Sequence, residues 1–262
     1  MREPGHLHSR LRICEVVHTA SHTKAMSSAS TPNPVALVTE RIRSAAQLAQ
    51  RKADSVQLIA VTKTRSAEEI HVVWQDGIKS FGENYLQEAL PKIAVLKDLD
   101  IIWHFIGKLQ GNKTREVAEA FHWVHTIDRE RLVDRLGSQT PSDKTLNVLV
   151  QVNVDGDTAK GGVAITDEAA MLGILARVQK YPNLRLRGLM TILSETTTPQ
   201  IGYSQLQAVF ERLRTRGGQH WDTLSMGMSA DFEAAIACGA TLVRVGQALF
   251  GPRHTIKENS QT

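Results

Sequence analysis

The sequence predicts an α/β protein, a (β/α)8 TIM barrel preceded by an N-terminal helix. Eight short runs of apolar, β-branched residues alternate with helical runs between positions 57 and 251, which is typical of repeated βα units around a parallel sheet. A length of 262 residues suits one such barrel. An open doubly wound sheet is the alternative, but no G-x-G-x-x-G opens a first helix and no Walker motif occurs. The barrel is therefore the better prediction.

The residues before the first strand fall into two parts. Residues 1–30 hold four of the ten histidines without regular spacing and no apolar run of signal-peptide length. We predict a disordered tail or an over-long start there, because Met26 stands just before the first orderly element. A transit peptide stays open, since Arg and Ser are present and acids are few. The barrel is assigned to residues 31–262, where Thr31-Pro32-Asn33-Pro34 leads into apolar residues at helical spacing from Val35 onward.

The remaining elements follow from the spacing of apolar residues between turn signals. The predicted strands are Gln57–Thr62, Ser80–Gly82, Ile101–Ile106, Trp123–Thr126, Asn147–Val152, Arg185–Thr191, Thr223–Met226 and Leu242–Val245. The helices predicted between them are Ala67–Asp76, Tyr85–Lys97, Lys113–Ala120, Arg129–Leu136, Asp167–Lys180, Gln205–Arg216 and Phe232–Cys238. A barrel built in this way carries its site at the carboxyl ends of the strands and in the loops that follow.

Composition excludes several classes of protein. The formal net charge is only +4, and residues 1–30 supply half of it, so no nucleic-acid surface is expected. No run approaches the roughly eighteen apolar residues of a membrane span. The two cysteines, Cys14 and Cys238, neither build a disulfide framework nor stand at metal-ligand spacing. We therefore expect a cytoplasmic protein with no membrane segment and no metal.

Lys63 is the first candidate for chemistry. It follows Leu58-Ile59-Ala60-Val61-Thr62, a run apolar enough to be a buried strand, so its amine should emerge at the catalytic end of the barrel. A lysine in a site of low dielectric constant is biased toward the neutral amine, which Schiff-base formation with an aldehyde requires. Position alone favours an ordinary solvated lysine at a strand end.

Two loops near the end of the chain favour a functional Lys63 over an ordinary solvated lysine. Ser225-Met226-Gly227-Met228-Ser229 ends the seventh predicted strand, and Arg244-Val245-Gly246-Gln247 ends the eighth. Backbone N–H groups at such turns, beside small hydroxyl side chains, form anion-binding cradles. Barrels often hold phosphate in the loops after strands seven and eight. Each turn is weak evidence by itself, but together with Lys63 they indicate a site for a phosphorylated aldehyde.

Other candidates are weaker. His104 and His125 lie near strand ends, yet a single histidine there is more often a hydrogen-bonded structural residue. Asp155-Gly156-Asp157 resembles the start of a calcium loop, but the bidentate acid expected downstream is missing, so a loop turn is the better interpretation. Cys238 ends a helix of small residues before a glycine and is predicted to pack in the core.

Seven blocks of the sequence occur in order between about Val35 and Gly251. They are Leu58–Thr64, Phe81–Glu88, Trp103–Gly107, His125–Asp128, Leu186–Met190, Leu224–Ser229 and Val243–Gly246. Together they resemble the pyridoxal 5′-phosphate (PLP) homeostasis proteins, also called the YggS or PROSC family, and seven blocks in register are far more specific than any single motif.

The resemblance implies a barrel like the N-terminal domain of alanine racemase, with PLP as cofactor and Lys63 as its Schiff-base lysine. It further implies positions for the remaining cofactor-binding residues. Phosphate would be held by Ser225, Ser229, Gly246 and the backbone of Gln247, and Gly227 would be a further cofactor-binding residue in the loop that holds Ser229. Asn84 would lie beside the cofactor, and Arg244 would face the pyridine nitrogen. The chain departs from the family pattern at Lys108 and Gly111, where Pro and Ser are expected. It also departs at Gln247, where a small hydroxyl residue is common.

Two functions remain open. The resemblance implies a PLP carrier that acts in intracellular PLP homeostasis, without catalytic turnover and with apo forms of PLP-dependent enzymes as partners; we expect a monomer. The alternative is a racemase or related PLP-dependent enzyme, since fold alone does not decide function. Arg244 favours the carrier, because a guanidinium only donates hydrogen bonds and would weaken the pyridine ring as an electron sink. So does the short segment after Phe250, because racemases of this fold add a β-domain that supplies a second base.

Overall fold

The computed structural model describes residues 33–251, which form a closed barrel of parallel strands surrounded by helices. The strands are β1 Gln57–Val61, β2 Ser80–Glu83, β3 Ile102–Phe105, β4 Trp123–Ile127, β5 Leu146–Asn153, β6 Val163–Ala164, β7 Leu184–Met190, β8 Thr223–Ser225 and β9 Leu242–Val245. The helices are α1 Pro34–Leu48, α2 Ala67–Gln75, α3 Leu86–Val95, α4 Thr114–Ala120, α5 Glu130–Gln139, α6 Glu168–Val178, α7 Pro199–Arg212, α8 Arg214–Gly217, α9 Phe232–Ala237 and α10 Gln247–Phe250. A 3-10 turn, Gly111–Lys113, precedes α4.

The order of the strands confirms the predicted barrel. Neighbours follow the order β4-β3-β2-β1-β9-β8-β7-β5, and a further parallel pairing between β4 and β5 closes the sheet. A doubly wound sheet would leave two open edges, so closure excludes that alternative. The short strand β6 pairs only with the end of β5 and stands outside the barrel. Two residues are too few for a periodic signal, which is why the sequence did not predict this strand.

Most of the core lies between the strands and the helices, as expected for this fold. A smaller apolar cluster fills the barrel itself. Its members come from five strands and are Ile59, Trp123, Leu149, Met190 and Leu242. Side chains two residues apart on a strand share one face. His125 and Arg244 therefore lie inside the barrel one layer closer to its carboxyl end than Trp123 and Leu242.

The helix predicted from Gln205 begins at Pro199, because a proline is well suited to the first helical turn, and it ends at Arg212 before the short α8. Tyr203 consequently lies in a helix and not in the loop after β7. The boundary between the predicted tail at 1–30 and the predicted barrel domain at 31–262 lies outside the described residues, so this division stays a prediction. Among the helices of the described part, none has the length and apolar character needed to cross a membrane.

Candidate cofactor-binding site

Lys63 stands two residues after the end of β1 and is partly buried. Both of its neighbours are held by side chains from α3. Lys92 Nζ donates to the carbonyl of Thr62 at 2.9 Å, and the amide of Thr64 donates to Glu88 Oε2 at 2.9 Å. Thr64 has a φ of 64°, a left-handed conformation that a β-branched residue rarely adopts. Such strain is maintained only where the surroundings impose it, and it occurs often at functional sites.

A buried ion pair lies under this turn. The side chain of Glu83 is fully buried, and its Oε1 accepts hydrogen bonds from Lys92 Nζ at 2.8 Å and from Thr62 Oγ1 at 2.7 Å. Burial raises the pKa of Glu83, while the hydrogen bonds from Lys92 and Thr62 oppose that change. This ion pair was not predicted from the sequence. The feature of the sequence that could have indicated it is the carboxylate of Glu83, which ends the otherwise uncharged run Ser80–Glu83.

The loop between β8 and α9 contains two of the predicted cofactor-binding residues, Gly227 and Ser229. Gly227 has a φ of 92°, and a Cβ there would lie 2.6 Å from the Cβ of Ala235, so no other residue fits without displacing α9. Ser229 is partly buried in the same loop. Within residues 33–251, the amides of Ser229 and Ala230 have no acceptor. They are therefore available to an anion.

The loop between β9 and α10 offers similar donors. Gly246 precedes α10, and its carbonyl accepts from the amides of Leu249 and Phe250. The first amides of a helix have no partner within the helix. Across the described range, those of Gly246 and Gln247 bind no acceptor. This loop can therefore contribute backbone donors, whatever the side chain of Gln247 does.

Arg244 and Ser225 belong to a hydrogen-bonded chain inside the barrel. Arg244 Nη1 donates to Ser225 Oγ at 2.7 Å, and Nη2 donates to the carbonyl of Thr191 at 2.8 Å. Ser225 Oγ lies 2.9 Å from His125 Nδ1, whose Nε2 lies 3.0 Å from His104 Nδ1. Burial lowers the pKa of Arg244, but a guanidinium keeps its proton in proteins. A positive charge with neutral oxygen acceptors is therefore fixed in the barrel.

The two histidines are neutral. Desolvation, and then the charge of His122, lower the pKa of His104 to about 3. Desolvation also holds the pKa of His125 well below 6.5, with His104 and Arg244 adding to the effect. Because each neutral ring carries one proton, each ring donates through one nitrogen and accepts through the other. The hydrogen bonds that connect His104, His125 and Ser225 therefore all run in the same direction. Both histidines are hydrogen-bonded, as expected from the sequence, but their partners could not be predicted from it.

Asn84 follows β2 and is partly buried. Its Oδ1 is enclosed by protein and has no hydrogen-bond partner among the described residues. A buried amide oxygen without a partner costs free energy. It marks a place where a ligand donor would be accommodated.

The predicted residues gather on one arc of the barrel. Asn84 follows β2, Lys63 follows β1, Gly246 and Gln247 follow β9, and Gly227 precedes Ser229 after β8. These four strands are consecutive in the closed sheet, in the order β2-β1-β9-β8. Ser225 and Arg244 lie within the barrel beneath the same arc. Residues that are far apart in the sequence therefore meet at the carboxyl end of the barrel.

Comparison with known proteins adds a family to this geometry. The alanine racemase N-terminal domain family matches residues 37–254. The pyridoxal phosphate homeostasis protein of Pseudomonas aeruginosa is 49% identical over 84% of this chain and 94% of its own length. The protein of the same name from Escherichia coli is 43% identical over 86% of this chain and 97% of its own length.

The chain belongs to the pyridoxal phosphate homeostasis protein family.

Solved structures agree with membership in this family. PipY of Synechococcus elongatus, solved with PLP bound, is 35% identical and covers 82% of this chain and 100% of its own, with a TM-score of 0.70. Alanine racemase of Corynebacterium glutamicum is only 16% identical, covers 85% of this chain and 62% of its own, and has a TM-score of 0.62. The second likeness shows a shared fold alone.

Asp155 and Cys238, two further candidates from the sequence, both make contacts within the fold. Asp155 accepts hydrogen bonds from the amide of Ser194 and from Thr197 Oγ1, and so connects the loops after β5 and β7. No group of three or more potential metal ligands occurs within residues 33–251. Cys238 is buried, and its thiol lies beside Gln200. Both are structural contacts in this member of the pyridoxal phosphate homeostasis protein family.

Proposed function

We propose that this chain binds PLP through a Schiff base on Lys63 and acts in intracellular PLP homeostasis. The observation that carries the proposal is the arc of consecutive strands β2-β1-β9-β8, which sets Lys63 beside two loops with unused backbone donors. Relatives that share up to 49% of the sequence are named for PLP homeostasis, and a 35% identical structure holds PLP. Family, fold and local geometry therefore support one cofactor.

The groups present fit the parts of PLP. The amides of Ser229, Gly246 and Gln247, with the Ser229 hydroxyl, suit a phosphate. Arg244 is assigned to the pyridine nitrogen, and Asn84 to the edge of the ring. PLP supplies an aldehyde, with which the amine of Lys63 condenses with loss of water. The strained turn at Thr64 and the contacts from α3 hold the backbone of Lys63 in place for that bond.

Ser225 has a different role in this proposal from the one that the resemblance implied. Its hydroxyl already contacts His125 and Arg244, and it is fully buried within β8. We therefore assign Ser225 to the orientation of Arg244, and the phosphate contacts to Ser229 and the loop amides.

The same arrangement favours a carrier over an enzyme. A guanidinium at the pyridine nitrogen donates a hydrogen bond and leaves that nitrogen unprotonated, which weakens the ring as an electron sink. Racemisation also requires a second base on the opposite face of the substrate. Tyr203 is 1% exposed and hydrogen-bonded to Asp231, and Tyr181 donates to Asp134. Tyr85 is 56% exposed at the start of α3.

We further propose the setting in which the carrier acts. Apo forms of PLP-dependent enzymes are the proposed recipients of PLP, and the chain is proposed to work as a monomer in the cytoplasm. Its buried free thiol at Cys238 suits a reducing compartment. Neither nucleic acid nor a membrane is part of the proposed function.

The test is reduction of the PLP-loaded protein with borohydride, followed by peptide mapping. We expect one pyridoxyl adduct, on Lys63, and loss of the Schiff-base absorption band in Lys63→Ala with the fold retained. Lys180→Ala, which removes an exposed lysine after α6, is the matched control and should keep both signals. An adduct found mainly on another lysine of the wild-type protein would refute the assignment.

A further inference from the structure

The loop between β8 and α9 is closed by its own aspartate. Met228 donates its amide to Asp231 Oδ1 at 2.7 Å, and the amide of Asp231 donates to the carbonyl of Met228 at 3.1 Å. The carbonyl of Gly227 accepts from the amide of Arg244 at 3.0 Å, which attaches the loop to β9. The two residues between Met228 and Asp231, Ser229 and Ala230, keep their amides for other acceptors. The closed turn thus presents two adjacent donors.

A tyrosine from another βα unit holds this aspartate. Tyr203 lies on α7, and its hydroxyl donates to Asp231 Oδ2 at 2.8 Å across a separation of 28 residues. Burial, followed by the charge of Asp231 and the hydrogen bond to it, raises the pKa of Tyr203, so the phenol stays protonated and donates. Both carboxylate oxygens of Asp231 are then occupied, one by a backbone amide and one by the phenol. Asp231 therefore shapes the loop and does not need a ligand.

We propose that Tyr203 and Asp231 are positioning residues that hold the loop from Gly227 to Asp231 in its phosphate-binding conformation and so set the preference for PLP over unphosphorylated pyridoxal. The inference rests on the proposed function, because it assumes that the phosphate of PLP occupies this loop. Tyr203 is far down the chain from Lys63 and lies on α7, outside the blocks that carry the family resemblance. The Tyr203–Asp231 hydrogen bond connects it to the loop, and the backbone amide of Gly227 also lies close enough to the Tyr203 hydroxyl to lower its pKa.

The pair predicts a loss that is selective for the phosphate. Tyr203→Phe removes one oxygen and keeps the ring in the core, whereas Asp231→Asn keeps one acceptor for Met228 and cannot accept from both donors. A hydrogen bond to a charged group is worth about a tenfold or larger factor in affinity. We expect each variant to bind PLP about tenfold more weakly and pyridoxal within about twofold of wild type. The double variant should lose no more than the larger single loss, because both changes break the same contact.

Tyr181→Phe is the matched control. Tyr181 also donates to an aspartate, Asp134, at 3.0 Å, but at the amino-terminal end of β7. The variant removes a comparable hydrogen bond and should leave both affinities unchanged. Equilibrium binding of PLP and pyridoxal is followed by absorbance, and the environment of the bound phosphate by its phosphorus NMR shift, which should move in Tyr203→Phe and in Asp231→Asn but not in Tyr181→Phe.

The possible results distinguish a failure of this inference from a failure of the proposed function on which it rests. Equal weakening of PLP and pyridoxal in Tyr203→Phe, with an unmoved phosphorus shift, would show that the pair only supports the core and would overturn the inference. Unchanged PLP affinity in Tyr203→Phe would overturn it as well. A wild-type protein that binds pyridoxal as tightly as PLP would instead refute the phosphate site, and with it the proposed function.

Discussion

Arg244 Nη1 donates a hydrogen bond to Ser225 Oγ at 2.7 Å inside the barrel, so Ser225 is committed to the guanidinium rather than to the loop four residues further on. The two serines should therefore respond differently. Ser225→Ala leaves Arg244 and His125 each short of a partner and should lower the free energy of unfolding by ~1–3 kcal/mol. It should weaken PLP and pyridoxal to the same extent.

Ser229→Ala is the comparison variant for Ser225→Ala. It should keep the stability of the wild type and weaken PLP alone, because its hydroxyl is assigned to the phosphate. Chemical denaturation and equilibrium binding of both ligands provide the measurements. A loss in Ser225→Ala confined to PLP would show that this hydroxyl turns to the phosphate when PLP is present.

Acid should destabilise the protein through its two barrel histidines. Both have folded-state pKa values far below 6.5, that of His104 being about 3. The unfolded chain takes up these protons first, so the stabilising effect of the neutral rings is complete above pH 6.5 and is lost as the pH falls toward 3. Each ring contributes a slope of up to ~1.4 kcal/mol per pH unit over that window.

His125→Gln tests that slope, because glutamine is neutral and still reaches hydrogen-bond partners. We expect unfolding measured between pH 6.5 and 4.5 to show a shallower dependence on pH, by about one proton. His71→Gln, on the outer helix α2, is the matched control and should follow the wild-type curve. If the unfolding free energy of His125→Gln depends on pH as steeply as that of the wild type, the His125 ring is not a buried neutral imidazole.

Substitution of Gly246 by a larger residue should weaken PLP binding. A Cβ there would lie 3.2 Å from the carbonyl oxygen of Val61 and 3.4 Å from its Cβ, so the neighbouring strand end must move. A displaced loop loses backbone donors to the phosphate, and we expect PLP affinity to fall modestly in Gly246→Ala and by tenfold or more in Gly246→Val. Pyridoxal affinity should change less. Equal losses for both ligands would contradict the placement of phosphate at this loop.

A chain that begins at Met26 should fold and bind PLP. The first described helix, α1, has its own N-cap, because Asn33 accepts from the amides of Val35 and Ala36 at 2.8 and 3.4 Å. Binding and thermal unfolding of the shortened protein should match those of the full chain. A shortened chain that aggregates or loses PLP would show that residues 1–25 contribute to the fold.

The PLP-loaded protein should not exchange the α-proton of amino acids at an ordinary enzyme rate. Lys63 serves one face of a bound amino acid. For the other face, Tyr203 and Tyr181 are each hydrogen-bonded to an aspartate, and Tyr85 is exposed to solvent at the start of α3. Incubation with D- and L-amino acids in deuterated water, followed by mass spectrometry and polarimetry, tests this. Rapid deuteration with loss of optical activity, abolished in Lys63→Ala, would establish an enzyme instead.

Local patterns in the sequence were enough to predict the barrel and the position of Lys63. The run Leu58–Val61 is apolar throughout, as expected of a strand that is buried on both faces, and Lys63 is the first charged residue after it. Gly227 and Gly246 directly follow the predicted strands Thr223–Met226 and Leu242–Val245, which predicted turns at the carboxyl end of the barrel. These features depend on a few consecutive residues, so one sequence reveals them.

The contacts of those residues were decided by the tertiary structure. Ser225 meets His125 across 100 residues of chain, and Tyr203 meets Asp231 only because α7 begins at Pro199 and packs beside α9. Strand register and barrel closure determine which interior side chains touch, and both arise from pairings between distant segments. Local periodicity is the same in any register that keeps the apolar face inward. The sequence therefore predicted that a site lies at the carboxyl ends of the strands, while closure of the sheet between β4 and β5 determined which polar groups meet there.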